Sequence, residues 1–347
     1  MSPYLVEADG DETVALELYK WNAELSGACF EVLGHLEVLL RNAIDSQLRI
    51  YFEEVKVGIP WFLLKIAEGK VQTSIDSDIS TARMRLQRSD QDTRHQIIAS
   101  TYLGFWTGLL SSSHDQLWRR SIHKAFPGSS GVRADLASAC NGLQLFRNRL
   151  AHPNSLLAAD VPFQLRQALA VASWIDPAAE TWMRGVERVT TVYSTRPVQR
   201  FDTVVVPARD AWLEYENHGV YICQQGRTFR PVQRFAFYEG RSIKSAIPLI
   251  TGREDNVEWS LAEQAKLLAS PVPSKVALGN LIADTLGASR APGRYQVFWL
   301  TKPGDPRHRE LSAEVPHLAR GRGSAFTQRQ RYVSLHALET ASSTNDL

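Results

Sequence analysis

Three residues near the middle of the chain carry the chemistry most open to interpretation. Arg147, Asn148 and His152 lie within "LFRNRLAHP", residues 145–153. An imidazole with an ordinary pKa of about 6.5 can take or give a proton at neutral pH. A guanidinium offers paired donors to phosphate oxygens and can stabilise charge that develops there. The stretch reads as the end of a helix, because Pro153 disfavours helical geometry at His152. Asn148 and His152 are four apart and share a face. Arg149 points away from Arg147, toward solvent or a polyanion.

The helix that positions these residues is "VRADLASACNGLQLFRNRLA". Leu136, Cys140, Leu143 and Leu150 follow the spacing of a buried stripe, and Arg147 falls on the same stripe. A guanidinium there loses hydration and needs a partner. An earlier helical segment shows the mirror case: Leu33, Leu40, Ile44 and Leu48 form a stripe, with Glu37 in its middle. The pattern predicts that Glu37 approaches Arg147, or meets Arg41 one turn along. The plainer alternative is a buried salt bridge that fixes helix register. Arg41-Asn42 repeats the Arg-Asn pair, so both residues are supporting candidates, lining a cleft or fixing register. Phe105, Trp106 and Trp118 fit a core better than a base-stacking platform.

Around these residues, 13–187 read as mostly helix. "TVALELYKWNAELSGACFEVLGHLEVLLRNAIDSQLRIYF" predicts one or two helices, a polar stretch follows Pro60, and several further helical segments run to Trp174. Near residue 190 the chain becomes richer in β-branched residues. "TTVYSTRPVQRFDTVVV", "GVYICQQ", "RFAFY", "AIPLI" and "RYQVFWL" are strand candidates, with helices at "LAEQAKLLAS" and "KVALGNLIADTLG". The expected fold is an N-terminal all-α bundle over 1–189, a smaller α+β domain over 190–340, and a disordered tail over 341–347.

Composition narrows the function classes. The chain has 347 residues, 44% hydrophobic and 22% charged, as a globular protein does. No run approaches a membrane span, and the acidic start lacks a signal-peptide core. Cys29, Cys140 and Cys223 are isolated, which argues for a reducing cytoplasm and against a zinc site. The overall charge of +2 divides unevenly: residues 1–189 carry −3 and residues 190–347 carry +5. The second half is therefore the expected contact for a polyanion. An ordinary solvated arginine-rich surface is the alternative.

Arg147-Asn148-Arg149-Leu150-Ala151-His152 matches the R-x4-6-H motif of HEPN-domain ribonucleases, including Asn after the Arg. The surrounding blocks "YLGFWTGLL", "DQLWRR", "KAFPG" and "FRNRLAHP" resemble, in order, the Abi-like abortive-infection branch of that family over about residues 13–187. One departure is that the chain continues His152-Pro153-Asn154, where many relatives read "AHHE". The resemblance implies a HEPN-like helical bundle in a cytoplasmic homodimer formed through the helical domain. It implies a metal-independent endoribonuclease of an anti-phage defence or toxin system, with no cofactor. The 2′-hydroxyl attacks the adjacent phosphate and leaves a 2′,3′-cyclic phosphate. In that scheme His152 is general base or acid, Arg147 stabilises the transition state, and Asn148 positions Arg147 or caps the helix end. RNA is the implied substrate, and a phage-derived trigger or an antitoxin stays open as a partner. The alternative is a non-catalytic dimer that binds RNA or a partner protein, with sensing in the C-terminal domain.

In the second half, Arg307, Arg309, Arg320, Arg322, Arg329 and Arg331 form a Gly-punctuated basic run. Together with Arg149 they are the RNA-binding candidates, and Phe326 and Tyr332 the stacking candidates. No P-loop pattern is present. The hexapeptide "RPVQRF" occurs at 196–201 and 230–235. As extended chain it would present Arg196 with Arg200, and Arg230 with Arg234, to phosphate or to solvent.

Overall fold

The computed structural model describes residues 1–67, 69–88, 91–151, 155–319 and 326–347, with only the backbone of Val55. Two compact units form. One comprises Tyr19–Leu156 and Val161–Arg196, the other Met1–Leu18, Leu157–Asp160 and Pro197–Leu347. An N-terminal helical region is thus followed by a sheet-containing region, although the units interleave along the sequence. Met1–Leu18 belongs with the later part for a local reason. The Arg200 guanidinium donates to Val6 O at 2.8 Å and pairs with Asp9 at 2.9 Å, while the Arg200 N–H donates to Glu7.

The helical unit is built on the helix Glu12–Tyr51, continuous over 40 residues, from Tyr19 onward. Its Leu33, Leu36, Leu40, Ile44 and Leu48 are all at most 4% exposed, so the predicted stripe is the core face. The polar stretch after Pro60 contains a helix that the sequence reading passed over, Gly69–Gln87. Its few apolar residues Ile75, Ile79 and Ala82 are spaced at four and three and are buried, a narrow seam on a polar helix. The segment after Thr93 breaks into the short helices Arg94–Ala99 and Leu103–Gly108. The motif helix runs Arg133–Ala151, followed by Val161–Ile175 and Pro177–Val186. Phe105, Trp106 and Trp118 are buried core aromatics, Phe105 edge-on to Trp106 and Trp118 stacked on Phe126.

One local expectation fails in this unit. Val189–Ser194, β-branched and read as strand, is helix. The buried Val189 and the Trp21 Nε1–H, which donates to Val192 O at 2.8 Å, hold it, so packing overrides β-propensity.

Among the described residues the second unit contains ten strands: β1 Thr203–Pro207, β2 Val220–Gln224, β3 Arg234–Glu239, β4 Ser242–Ile243, β5 Ala246–Ile247, β6 Ile250–Trp259, β7 Gly293–Leu300, β8 Arg309–Glu310, β9 Val315–Pro316 and β10 Arg331–Val333. They form sheets ordered β10-β1-β3-β4-β9, β2-β7-β6 and β5-β8. β1 and β3 are parallel, with Thr203 opposite Arg234. Alternation along them divides the core: Val204, Val206, Phe235 and Phe237 enter one apolar cluster, Val205 and Ala236 another. A third cluster joins β2, β6 and β7 to the helices Leu261–Leu268 and Pro273–Thr285. β6 was missed from sequence because "GREDN" in its middle is polar and the strand bulges there.

The final residues are folded, where the sequence reading expects a disordered tail. Thr344–Asp346 forms a 3-10 turn closed by a Ser343/Asp346 capping box, and Thr344 is buried with its hydroxyl 2.7 Å from His317 Nδ1. Among the described residues no helix is long and apolar enough to cross a membrane.

Candidate active site

The motif helix buries Leu136, Ala137, Cys140, Leu143, Phe146 and Leu150. Arg133 anchors its start, donating to Leu110 O at 2.8 Å. Arg147 is half-buried at the margin of that apolar face, while Asn148 and Arg149 are exposed at the same helix end. The Arg149 guanidinium donates to Ser155 O at 2.6 Å, so part of its donor set is committed locally. His152 lies outside the described residues.

Glu37 is half-buried on the long helix and comes near both arginines that the sequence reading offered as partners. Burial pushes its carboxyl above the ordinary value of 4.5, and the Arg147 and Arg41 guanidiniums and the Leu103 N–H pull the other way. No ion pair joins Glu37 to either arginine among the described residues. The Arg41 guanidinium donates to Ala99 O at 3.2 Å, and Asn42 is exposed. Three helices therefore meet here: the long helix with Glu37 and Arg41, the Leu103–Gly108 helix, and the motif helix with Arg147.

Gly104 permits that meeting. A Cβ there would lie 2.8 Å from Gln144 Nε2 of the motif helix and 2.8 Å from the Tyr102 ring. The Thr107 hydroxyl donates to Gln144 Oε1 one turn along, so the short helix is pinned to the motif helix. The Tyr102 hydroxyl reaches Asp78 at 3.0 Å and ties the Gly69–Gln87 helix to the same place.

The raised Glu37 value has a consequence for stability. The folded chain holds that proton more tightly than the unfolded chain. The linked stability is fully present below 4.5 and is lost as pH rises through the raised value. Glu37→Gln is expected to flatten that dependence and to be no less stable than the parent at neutral pH. Urea midpoints of both proteins from pH 4 to 7 check this, and an unchanged pH dependence in the variant would contradict it.

A stronger electrostatic cluster in this unit was not found from sequence. Arg94 donates to both carboxylate oxygens of Asp45, at 2.9 and 2.7 Å, and to both of Glu54, at 2.6 and 3.2 Å. The Trp61 Nε1–H donates to Asp45 at 2.7 Å, and the Trp61 N–H to Glu54. Burial works against these charges, but the hydrogen bonds outweigh it: Glu54 sits below its ordinary range and Arg94 above. The available signal was Asp45, a carboxylate beside the Leu40–Ile44–Leu48 stripe. The cluster clamps structure, with Arg49 a further 3.6 Å from Glu54.

In the second unit the basic run is not one track. Arg307 is held by Asp305 at 2.8 and 3.0 Å, and Arg309 on β8 leans on the carbonyls of Pro306 and His308. Arg329 and Arg331 are exposed at the edge strand β10 of a different sheet. Arg320 and Arg322 lie outside the described residues. Phe326 is buried and Tyr332 half-buried, each already beneath an arginine. The hexapeptides do not behave as extended repeats: only Arg234-Phe235 is strand, and Arg234 is buried, donating to Ile247 O and Arg307 O. The three cysteines are buried free thiols, pushed up to about 12 by burial, and no cluster among the described residues could hold a metal.

No family model, curated protein or solved structure matches the chain.

Proposed function

We propose that this protein is a metal-independent endoribonuclease of abortive-infection or toxin type, with a HEPN-like helical unit that carries the chemistry. The observation that carries the reading is the convergence of Arg147 with Glu37 and Arg41, beside an exposed helix end bearing Asn148 and Arg149. A half-buried guanidinium not locked into an ion pair keeps its donors for a phosphate. Glu37, near Arg147 but not bonded to it, orients the guanidinium without consuming it.

The reaction then follows from residue types. His152 takes the proton of a 2′-hydroxyl, whose oxygen attacks the adjacent phosphorus. Arg147 stabilises the added negative charge. The P–O bond to the 5′-oxygen breaks, and that oxygen leaves as a hydroxyl after protonation. One chain supplies a single Arg–His set, so two helical units facing each other in a homodimer would complete the cleft. The test is incubation of the full chain with single-stranded RNA in excess EDTA. Cleavage should persist at the same rate, and a requirement for Mg²⁺ would reject the scheme.

A further inference from the structure

The sequence reading looked for a polyanion contact along the run 307–331. The fold draws the end of that run together with a second segment about a hundred residues earlier. The loop at 225–231 is stitched to the approach of β10. Arg227 Nε donates to Gln330 Oε1 at 3.1 Å, and the same guanidinium donates to Arg329 O. Gln330 Nε2 donates to Thr228 O at 2.9 Å and to the Tyr332 hydroxyl at 2.7 Å, and the Arg230 N–H donates to that hydroxyl at 2.9 Å. These bonds bring Arg227, Arg230, Arg329 and Arg331 to one rim of the five-stranded sheet.

Three of the guanidiniums lie over aromatic rings. The Arg230 guanidinium lies 5.0 Å from the Tyr332 ring centroid, Arg227 lies 5.3 Å from Phe229, and Arg331 lies 4.3 Å from Phe326. Tyr332 packs with one core cluster and Phe326 with the other, so Arg230 and Arg331 flank β10 from its two faces. Arg230, Arg329 and Arg331 are exposed, and no Asp or Glu side chain forms an ion pair with any of the four among the described residues. Arg331 also donates to Leu347 O.

We propose that this rim binds single-stranded RNA. The exposed guanidiniums of Arg230, Arg329 and Arg331, at β10 and the loop stitched to it, attract a polyanion. The stacking of Arg230 and Arg331 on rings favours RNA over an acidic peptide. A guanidinium can stack on an unstacked base and donate to backbone phosphates at the same time. The inference deepens the ribonuclease reading by placing substrate capture in the second unit. It rests on that reading only for the choice of RNA.

The test uses the full chain and a fluorescein-labelled uridine-rich oligonucleotide of about 12 residues, 2′-O-methylated throughout so that 2′-hydroxyl attack cannot occur. Anisotropy is measured against salt. The double variant Arg230→Ala with Arg331→Ala should flatten the slope of log affinity against log salt by about 1.4, at about 0.7 for each lost phosphate contact. The matching double lysine variant should restore the slope, and thermal midpoints should show both variants folded. No binding by the parent, an unchanged slope in the alanine variant, or equal displacement of the RNA by polyglutamate would overturn the proposal. The probe resists cleavage, so its binding is independent of whether His152 and Arg147 catalyse.

Discussion

Replacing His152 with alanine should lower RNA cleavage by about 10²–10⁴-fold, the range for losing a positioned general acid or base. Arg147→Ala should cost about 10²–10³-fold, as removal of one oxyanion donor does. The two losses should differ in kind. Without the imidazole, the dependence of rate on pH near 6–7 should disappear, because the titrating group is gone. Without Arg147 that dependence should remain on a lower rate. Arg147 is half-buried, so circular dichroism must show the variant folded before its rate is read. Arg149→Ala, at an exposed position on the same turn, should keep the pH dependence. Full cleavage by His152→Ala would remove the imidazole from the reaction.

The largest stability effect is expected at Arg94. Its guanidinium sits between Asp45 and Glu54, each 8% exposed, and has only 16% of its own side chain exposed. Arg94→Ala leaves two buried carboxylates without their shared guanidinium, and only Arg49, 3.6 Å from Glu54, still offsets their charge. Breaking such a pair from one side costs about 3–5 kcal/mol. The deficit should shrink in acid, because protonating either carboxyl relieves the repulsion. Chemical denaturation of the variant at pH 7 and pH 5 measures both effects. A cost below about 1 kcal/mol, or one that grows in acid, would show that the cluster is not the clamp the hydrogen bonds describe.

What could be read from the sequence depended on the range of the interaction. The stripes through Leu40 and Ile44 and through Leu143 and Leu150 were legible, because helical spacing is local. The same spacing placed Glu37 and Arg147 on those stripes and foresaw that they approach. It could not show how Thr107 pins the Leu103–Gly108 helix to Gln144 of the motif helix. The Asp45–Arg94–Glu54 clamp joins residues up to 49 apart, and nothing in the local pattern names Arg94 as the partner. The basic surface was half legible. Arg329, Arg331 and, in its hexapeptide, Arg230 were in view, but only the loop contacts to β10 bring Arg230 and Arg227 beside the other two. Counting charge along the chain gave weight instead to Arg307, which Asp305 neutralises. The N-terminal residues were misassigned for a similar reason: Arg200 binds Val6, Glu7 and Asp9 across 190 positions of sequence.

The central claim is that a 2′-hydroxyl is the nucleophile at a site holding Arg147 and His152. The direct test is one RNA cut site with its 2′-hydroxyl replaced by hydrogen, compared with the unmodified RNA in EDTA. The unmodified RNA should be cut to a 2′,3′-cyclic phosphate and a 5′-hydroxyl, and the deoxy site should stay intact because the nucleophile is missing. Cleavage at the deoxy site, or products with a 3′-hydroxyl and a 5′-phosphate, would contradict the mechanism.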